Sequence, residues 1–272
     1  LLCAENERPN LKDIDVVVHT AAMVHRTNSF PKKVLDGFMK MNCNATLNLA
    51  EHAAKAGVKR FIFLSSIKVN GEKSDLNKPF RYDDPKIGDD PYSKSKSKAE
   101  IGLLKIASNT NLEVTIIRPP LVYGPGVKAN FATLLKFASR NIPLPLGSIN
   151  NKRSFVALDN LISLIVTCID HPNAANEIFL VSDGEDISVA KLYTIMSEAL
   201  GKKALVFKFD KKILKRIFLF FGISSIINRL CDDLRVDIQH TKDTLNWNPV
   251  ISILEGVKQC VLQEKRNKPK SM

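Results

Sequence analysis

Two segments carry the residue types that proton transfer between a hydroxyl and a carbonyl needs. Ser65-Ser66 closes the apolar run Val58–Leu64, and Tyr92-Ser-Lys-Ser-Lys96 begins 26 residues after Ser66. Residues four apart are neighbours on a helix, so Tyr92 and Lys96 share one face. An ammonium within about 5 Å of a phenol favours the phenolate, and Lys96 is therefore expected to lower the pKa of Tyr92 from its usual value near 10. The Ser66 hydroxyl can then share a substrate oxygen with the phenol, which makes a general acid-base site. A Tyr and a Lys four apart on a lysine-rich helix usually do nothing. A Ser-ended run before this pair and an Arg118-Pro119-ended run after it set it apart.

The elements that must position these groups follow from the pattern of apolar residues. Asp15–Ala22 is a short β-branched run ending in small residues and predicts a buried parallel strand. Lys33–Ala56 has apolar positions at helical spacing and stops at Gly57, and Val58–Ser65 predicts a second strand. Asp90-Pro91 reads as an N-cap with Pro at the first helical position, opening a helix from Tyr92 to about Ser108. Leu112–Arg118 predicts a third strand, broken by Pro119-Pro120. Strand and helix alternating over a hundred residues point to α/β architecture with a doubly wound parallel sheet. Beyond Tyr123-Gly-Pro-Gly126 the pattern loosens, with helices expected at 131–140, 158–170, 188–200 and 251–264. The expected organisation is a first domain over 1–126, a smaller mixed α/β domain over 127–264 with segments returning to the core, and a frayed basic tail over 265–272.

Composition excludes several classes. With 272 residues, 44 % hydrophobic and 25 % charged, the chain can bury a core without disulfides or a structural metal. Five widely spread cysteines without a Cys-x-x-Cys pair suggest neither a disulfide framework nor a zinc site, and a reducing cytoplasm fits them best. The net charge is +12, and the residues from Gly201 onward hold 15 Lys and Arg against 7 Asp and Glu, so the excess is mostly at the back. Nucleic-acid motifs are absent and aromatics are only 7 %, which argues against a nucleic-acid partner. Lys208, Lys211, Lys212, Lys215 and Arg216 fall beside Ile213, Leu214, Ile217, Phe220 and Phe221 at helical spacing. Residues 208–230 therefore offer two readings, a helix covering a substrate pocket or a peripheral contact with an anionic membrane surface.

Seven motifs, in order, carry a family resemblance: Val18-His19-Thr20-Ala21-Ala22, Asn42-x-x-Ala45-Thr46, Leu64-Ser65-Ser66-x-x-Val69-x-Gly71, Tyr92-x-x-x-Lys96, Arg118-Pro119-x-x-Val122-Tyr123-Gly124-Pro125-Gly126, Arg153-Ser-Phe-Val-Ala-Leu-Asp159 and Leu245-Asn-Trp247-Asn-Pro249. The chain resembles the extended short-chain dehydrogenase/reductase family, in its NAD-dependent nucleotide-sugar epimerase/dehydratase group, whose core is Rossmann-like. The resemblance implies that Ser66, Tyr92 and Lys96 are catalytic. It implies that Ala21, Ala22, Asn42, Tyr92, Lys96 and Pro119 bind NAD, with NADP the alternative cofactor for a reductase. Asn130 and Arg153 match positions that bind the sugar-nucleotide diphosphate, a role suited to the planar fork of Arg. Lys68, two residues beyond Ser66, is expected to face the sugar, and its bland alternative is a solvated loop lysine.

Two departures from the family pattern bear on activity. The Gly-rich turn that seats a dinucleotide pyrophosphate and the acidic residue for its ribose do not occur, and only about 14 residues precede Asp15. The expectation is a Rossmann-like domain lacking its first βαβ unit, from a parent longer by roughly 40 to 60 residues. At Pro119-Pro120-Leu121 the polar contacts of many hexose 4-epimerases are missing. The favoured reading is a 4-epimerase of a UDP-hexose or UDP-N-acetylhexosamine in surface-polysaccharide synthesis, in the cytoplasm, with a homodimer admitted. The alternatives are a 4-ketoreductase of a UDP-4-keto-6-deoxy-sugar and, from another class, an inactive fragment or binding domain.

Overall fold

The computed structural model describes residues 9–24, 31–75, 77–210, 213–214, 216 and 230–267. Val16–His19 (β1) leads through Pro31–Phe38 (α1), a π-helical turn at Met39–Asn44 and Ala45–Lys55 (α2) to Arg60–Leu64 (β2). Pro91–Asn109 (α3) then crosses to Glu113–Arg118 (β3). All three strands are parallel, with Val16 opposite Arg60 and Arg60 opposite Glu113, because each crossover is helical. The helices begin and end where local chemistry dictates. Asp90 Oδ1 accepts from the backbone N–H groups of Tyr92 (3.0 Å) and Ser93 (3.2 Å) to cap α3, with Pro91 at its first turn. Past the end of α2, Gly57 takes the left-handed conformation (φ 82°).

Leu121–Tyr123 (β4), Ala129–Ser139 (α4), Arg153–Ala157 (β5), Leu158–Asp170 (α5), Ile178–Leu180 (β6), Asp186–Ile187 (β7), Val189–Ala199 (α6), Gln239–Leu245 (α7) and Ile253–Asn267 (α8) complete the described elements. The sheet order is β1-β2-β3-β6, all parallel, beside a second sheet in which β4 and β5 are parallel and β7 runs antiparallel to β5. The period-two alternation of a buried strand sorts the core. Phe61 and Phe63 face Ala50, Ala53, Ala99 and Leu103 of α2 and α3, whereas Ile62 faces Leu161, Leu164 and Trp247 on the other side. On β5, Phe155 joins a third cluster with Phe131, Leu192 and Val257, while Val156 joins the cluster of Ile62. One strand thus couples the two sheets.

The helix expected over 33–56 is interrupted by the π turn, and the four short strands β4 to β7 and helix α7 were not expected. The tail reads differently too, since α8 runs to Asn267 instead of fraying at Lys265; residues 268–272 lie outside the described residues. Trp247, from the last motif, donates from Nε1 to Ser163 Oγ (3.1 Å), and Asn160 Oδ1 accepts from the Val250 and Ile251 N–H groups, so this segment is pinned to α5. Among the described residues, no helix is long and apolar enough to cross a membrane.

Candidate active site

The chain leaves three adjacent parallel strands through segments singled out in the sequence: Ala21-Ala22 after β1, Ser65-Ser66 after β2 and Pro119-Pro120 after β3. Ligands of open parallel sheets bind at these carboxyl ends. Ser66 is extended (φ −161°, ψ 147°) and caps a single turn at Ile67–Val69, its Oγ accepting from the Lys68 N–H at 3.3 Å. That turn is tied to the exit of β3, since the Ile67 N–H donates to the Pro119 carbonyl at 3.0 Å.

Tyr92, on the first turn of α3, is half-buried, with its ring edge-on to Phe38 at 6.2 Å. Burial raises the pKa of the phenol, the Ser66 hydroxyl pulls it down, and the Asp90 carboxylate adds to the rise. The expected lowering by Lys96 is therefore reversed. The chief reason is burial of the ring; the ammonium is engaged elsewhere, Lys96 Nζ donating to the Leu64 carbonyl at 2.8 Å and lying 4.3 Å from the centre of the Phe63 ring. Burial pushes Lys96 itself down to about 8, with Glu100 opposing the fall. His19 is packed nearby, its Nε2 3.0 Å from Thr46 Oγ1 and its ring stacked on Phe63. Burial, and then the charge of Lys96, push His19 down to about 4, so it is neutral at physiological pH.

The π turn explains the place of Asn42. An extra residue in the turn brings this fully buried side chain to the β1 exit, where Oδ1 accepts from the Met23 N–H (2.7 Å) and Nδ2 donates to the Met23 carbonyl (3.0 Å) and to Ser95 Oγ (3.1 Å). Exposed Ala21 and Ala22 line a cavity of about 340 Å³ with His19, Met23 and Met41. Two methyl side chains at a strand end leave the backbone approachable, and a buried ammonium with three donors stands at the next strand, a set that fits a dinucleotide.

Asn130 and Arg153 meet at a second cavity of about 470 Å³, lined also by Leu121, Phe131, Phe137 and Phe155. Arg153 Nη1 donates to the Asp232 carbonyl at 2.9 Å, which fixes the guanidinium beside this apolar space. Leu214 and Leu230 line it as well, so these two residues of 208–230 cover a pocket. Lys211, Lys212, Lys215, Ile217, Phe220 and Phe221 of the basic stripe lie outside the described residues. Lys68 pairs with Glu72 at 2.8 Å and stands 3.8 Å from Asp90 Oδ2. Sequence reasoning missed Phe63 and His19, which pack Lys96. The small-residue run after His19 was the available signal.

A parallel sheet with these groups gathered at its strand ends defines a Rossmann-like α/β enzyme. The chain belongs to the NAD dependent epimerase/dehydratase family, whose model matches residues 6–182. It is 49 % identical over 250 residues to a UDP-glucose 4-epimerase of Vibrio cholerae, covering 92 % of this chain and 76 % of that one. A dTDP-4-dehydro-6-deoxyglucose reductase of Escherichia coli is 25 % identical over 258 residues, 92 % of this chain and 74 % of that one. Among solved structures, the UDP-glucuronic acid 4-epimerase of Bacillus cereus in complex with NAD shares the fold with a TM-score of 0.74 at 23 % identity, covering 95 % of this chain and 77 % of that one.

Proposed function

We propose that this chain is an NAD-dependent nucleotide-sugar 4-epimerase acting on a UDP-hexose or UDP-N-acetylhexosamine, in the cytoplasm, for surface-polysaccharide synthesis. The observation that carries the reading is Ser66 at the exit of β2, Tyr92 on the first turn of α3 and buried Lys96 one turn further along that helix, its Nζ donating to the Leu64 carbonyl at 2.8 Å. Residues 1–126 then form the cofactor side and 127–264 mainly the substrate side. Ala21, Ala22, Asn42, Tyr92, Lys96 and Pro119 would hold NAD, which when bound supplies reversible hydride acceptance. Ser66 and Tyr92 hold the sugar O4, Tyr92 takes its proton and later returns it, and Lys96 keeps positive charge at the site. Arg153 and Asn130 bind the diphosphate at the rim of their cavity, and Lys68 exchanges Glu72 for a substrate oxygen.

A 4-ketoreductase of a UDP-4-keto-6-deoxy-sugar is the second reading, favoured by one observation: Leu121 and its apolar neighbours line the cavity that also holds Asn130 and Arg153. Both readings use Tyr92. Replacing Tyr92 by Phe should lower kcat about 100- to 10,000-fold while the folded protein melts as the parent does. A variant turning over within about twofold of the parent would remove Tyr92 from the chemistry.

A further inference from the structure

Two deeply buried opposite charges lie just behind the triad. Glu100 on α3 and Arg118 at the end of β3 are 0 % and 1 % exposed. Arg118 Nε donates to Glu100 Oε1 at 3.0 Å and Nη2 to Oε2 at 2.8 Å, a two-point fork. Ser65 Oγ donates to Glu100 Oε1 at 2.5 Å, and Lys86 Nζ lies 2.9 Å from Oε2. Arg118 Nη1 also donates to Asn70 Oδ1 and to the Tyr82 carbonyl, both at 3.1 Å, and Asn70 Nδ2 donates to the Asp84 carbonyl at 3.1 Å.

Each contact ends on a segment that carries a member of the triad. Ser65 directly precedes Ser66, and Asn70 closes the turn that Ser66 caps. Residues 82–86 lead into Asp90 and Tyr92, and Glu100 stands one turn beyond Lys96 on the same helix. An ion pair this deep is a weak source of net stability, because desolvating both charges offsets most of their attraction. What the pair does supply is a fixed geometry among β2, β3, the 82–88 loop and α3.

We propose that Glu100 and Arg118 are positioning residues that set Ser66, Tyr92 and Lys96 relative to one another, a role that rests on reading those three as the triad. The test compares Ser65→Ala, the double variant Glu100→Gln/Arg118→Met and Tyr92→Phe in the full chain, on whichever UDP-sugar the parent turns over. A displacement of the reacting groups by about 1 Å costs up to about 100-fold in rate. The double variant should therefore lose about 10- to 100-fold in kcat, and Ser65→Ala about 3- to 10-fold, each with KM within about twofold of the parent. A purely structural pair would change melting and leave kcat of the folded protein alone. Parental kcat in Ser65→Ala overturns the proposal even if the double variant does not fold. Parental kcat in Tyr92→Phe overturns the triad itself, so the two failures are told apart.

Discussion

A phenol whose pKa is raised by burial needs a nearby positive charge before it can act as a base, and Lys96 is the cation this chain places one turn away. Its own pKa is pushed down to about 8, so it is charged below that pH and neutral above it. The rate of the active protein is therefore expected to fall on the alkaline side of about pH 8, as the positive charge at the site is lost. A pH profile of kcat/KM checks this, and a profile flat through pH 8 to 10 would contradict it. At this scale the sequence showed which residues to watch, since Ser66, Tyr92 and Lys96 stand out by type and spacing. It did not show their electrostatics. The direction of the Tyr92 shift depends on how much water reaches the ring and on the Leu64 carbonyl that draws the ammonium away, both products of tertiary packing.

Helix α3 is the element on which the site depends, and its first turn rests on one side chain. Asp90 satisfies the N–H groups of Tyr92 and Ser93, and its carboxylate also raises the pKa of the phenol. Asp90→Ala is expected to cost about 1 kcal/mol of stability, the usual worth of an N-cap. The same change should make Tyr92 more acidic, by removing a negative charge from its surroundings. Denaturant unfolding beside a pH-rate profile measures both, and an unchanged unfolding midpoint would mean that the cap is not formed. The boundaries of α3 were legible because Asp-Pro is a local signal. The π turn at Met39–Asn44 was not, since nothing in that stretch departs from an ordinary amphipathic helix until Asn42 meets Met23 and Ser95. Strands β6 and β7 are three and two residues long. Such short strands are defined by their partners and leave little pattern of their own.

At the scale of the whole molecule, the sheet buries His19, whose titration should be visible in stability. His19 has an unfolded pKa of 6.5 and a folded one of about 4. Between these values the unfolded chain binds a proton that the folded one refuses. Stability is therefore complete above about pH 6.5 and falls as pH drops towards 4, by up to about 3 kcal/mol at 1.36 kcal/mol per unit. Denaturant unfolding at pH 7 and pH 4.5 checks the sign, and His19→Gln should flatten the difference. The parallel α/β architecture was legible over residues 15–118 in the alternation of apolar runs, whereas the coupling of two sheets through Phe155 and Val156 depends on β5, the central strand of the second sheet, presenting one side chain to its own cluster and the next to the cluster of Ile62. The central claim, an epimerase and not a reductase, is tested most directly by electron accounting. The chain, incubated with UDP-glucose or UDP-N-acetylglucosamine and NAD, is predicted to form the C4 epimer while absorbance from reduced nicotinamide stays flat. Consumption of one NADPH for each UDP-4-keto-6-deoxy-sugar converted, with no epimer from the UDP-hexoses, would contradict it.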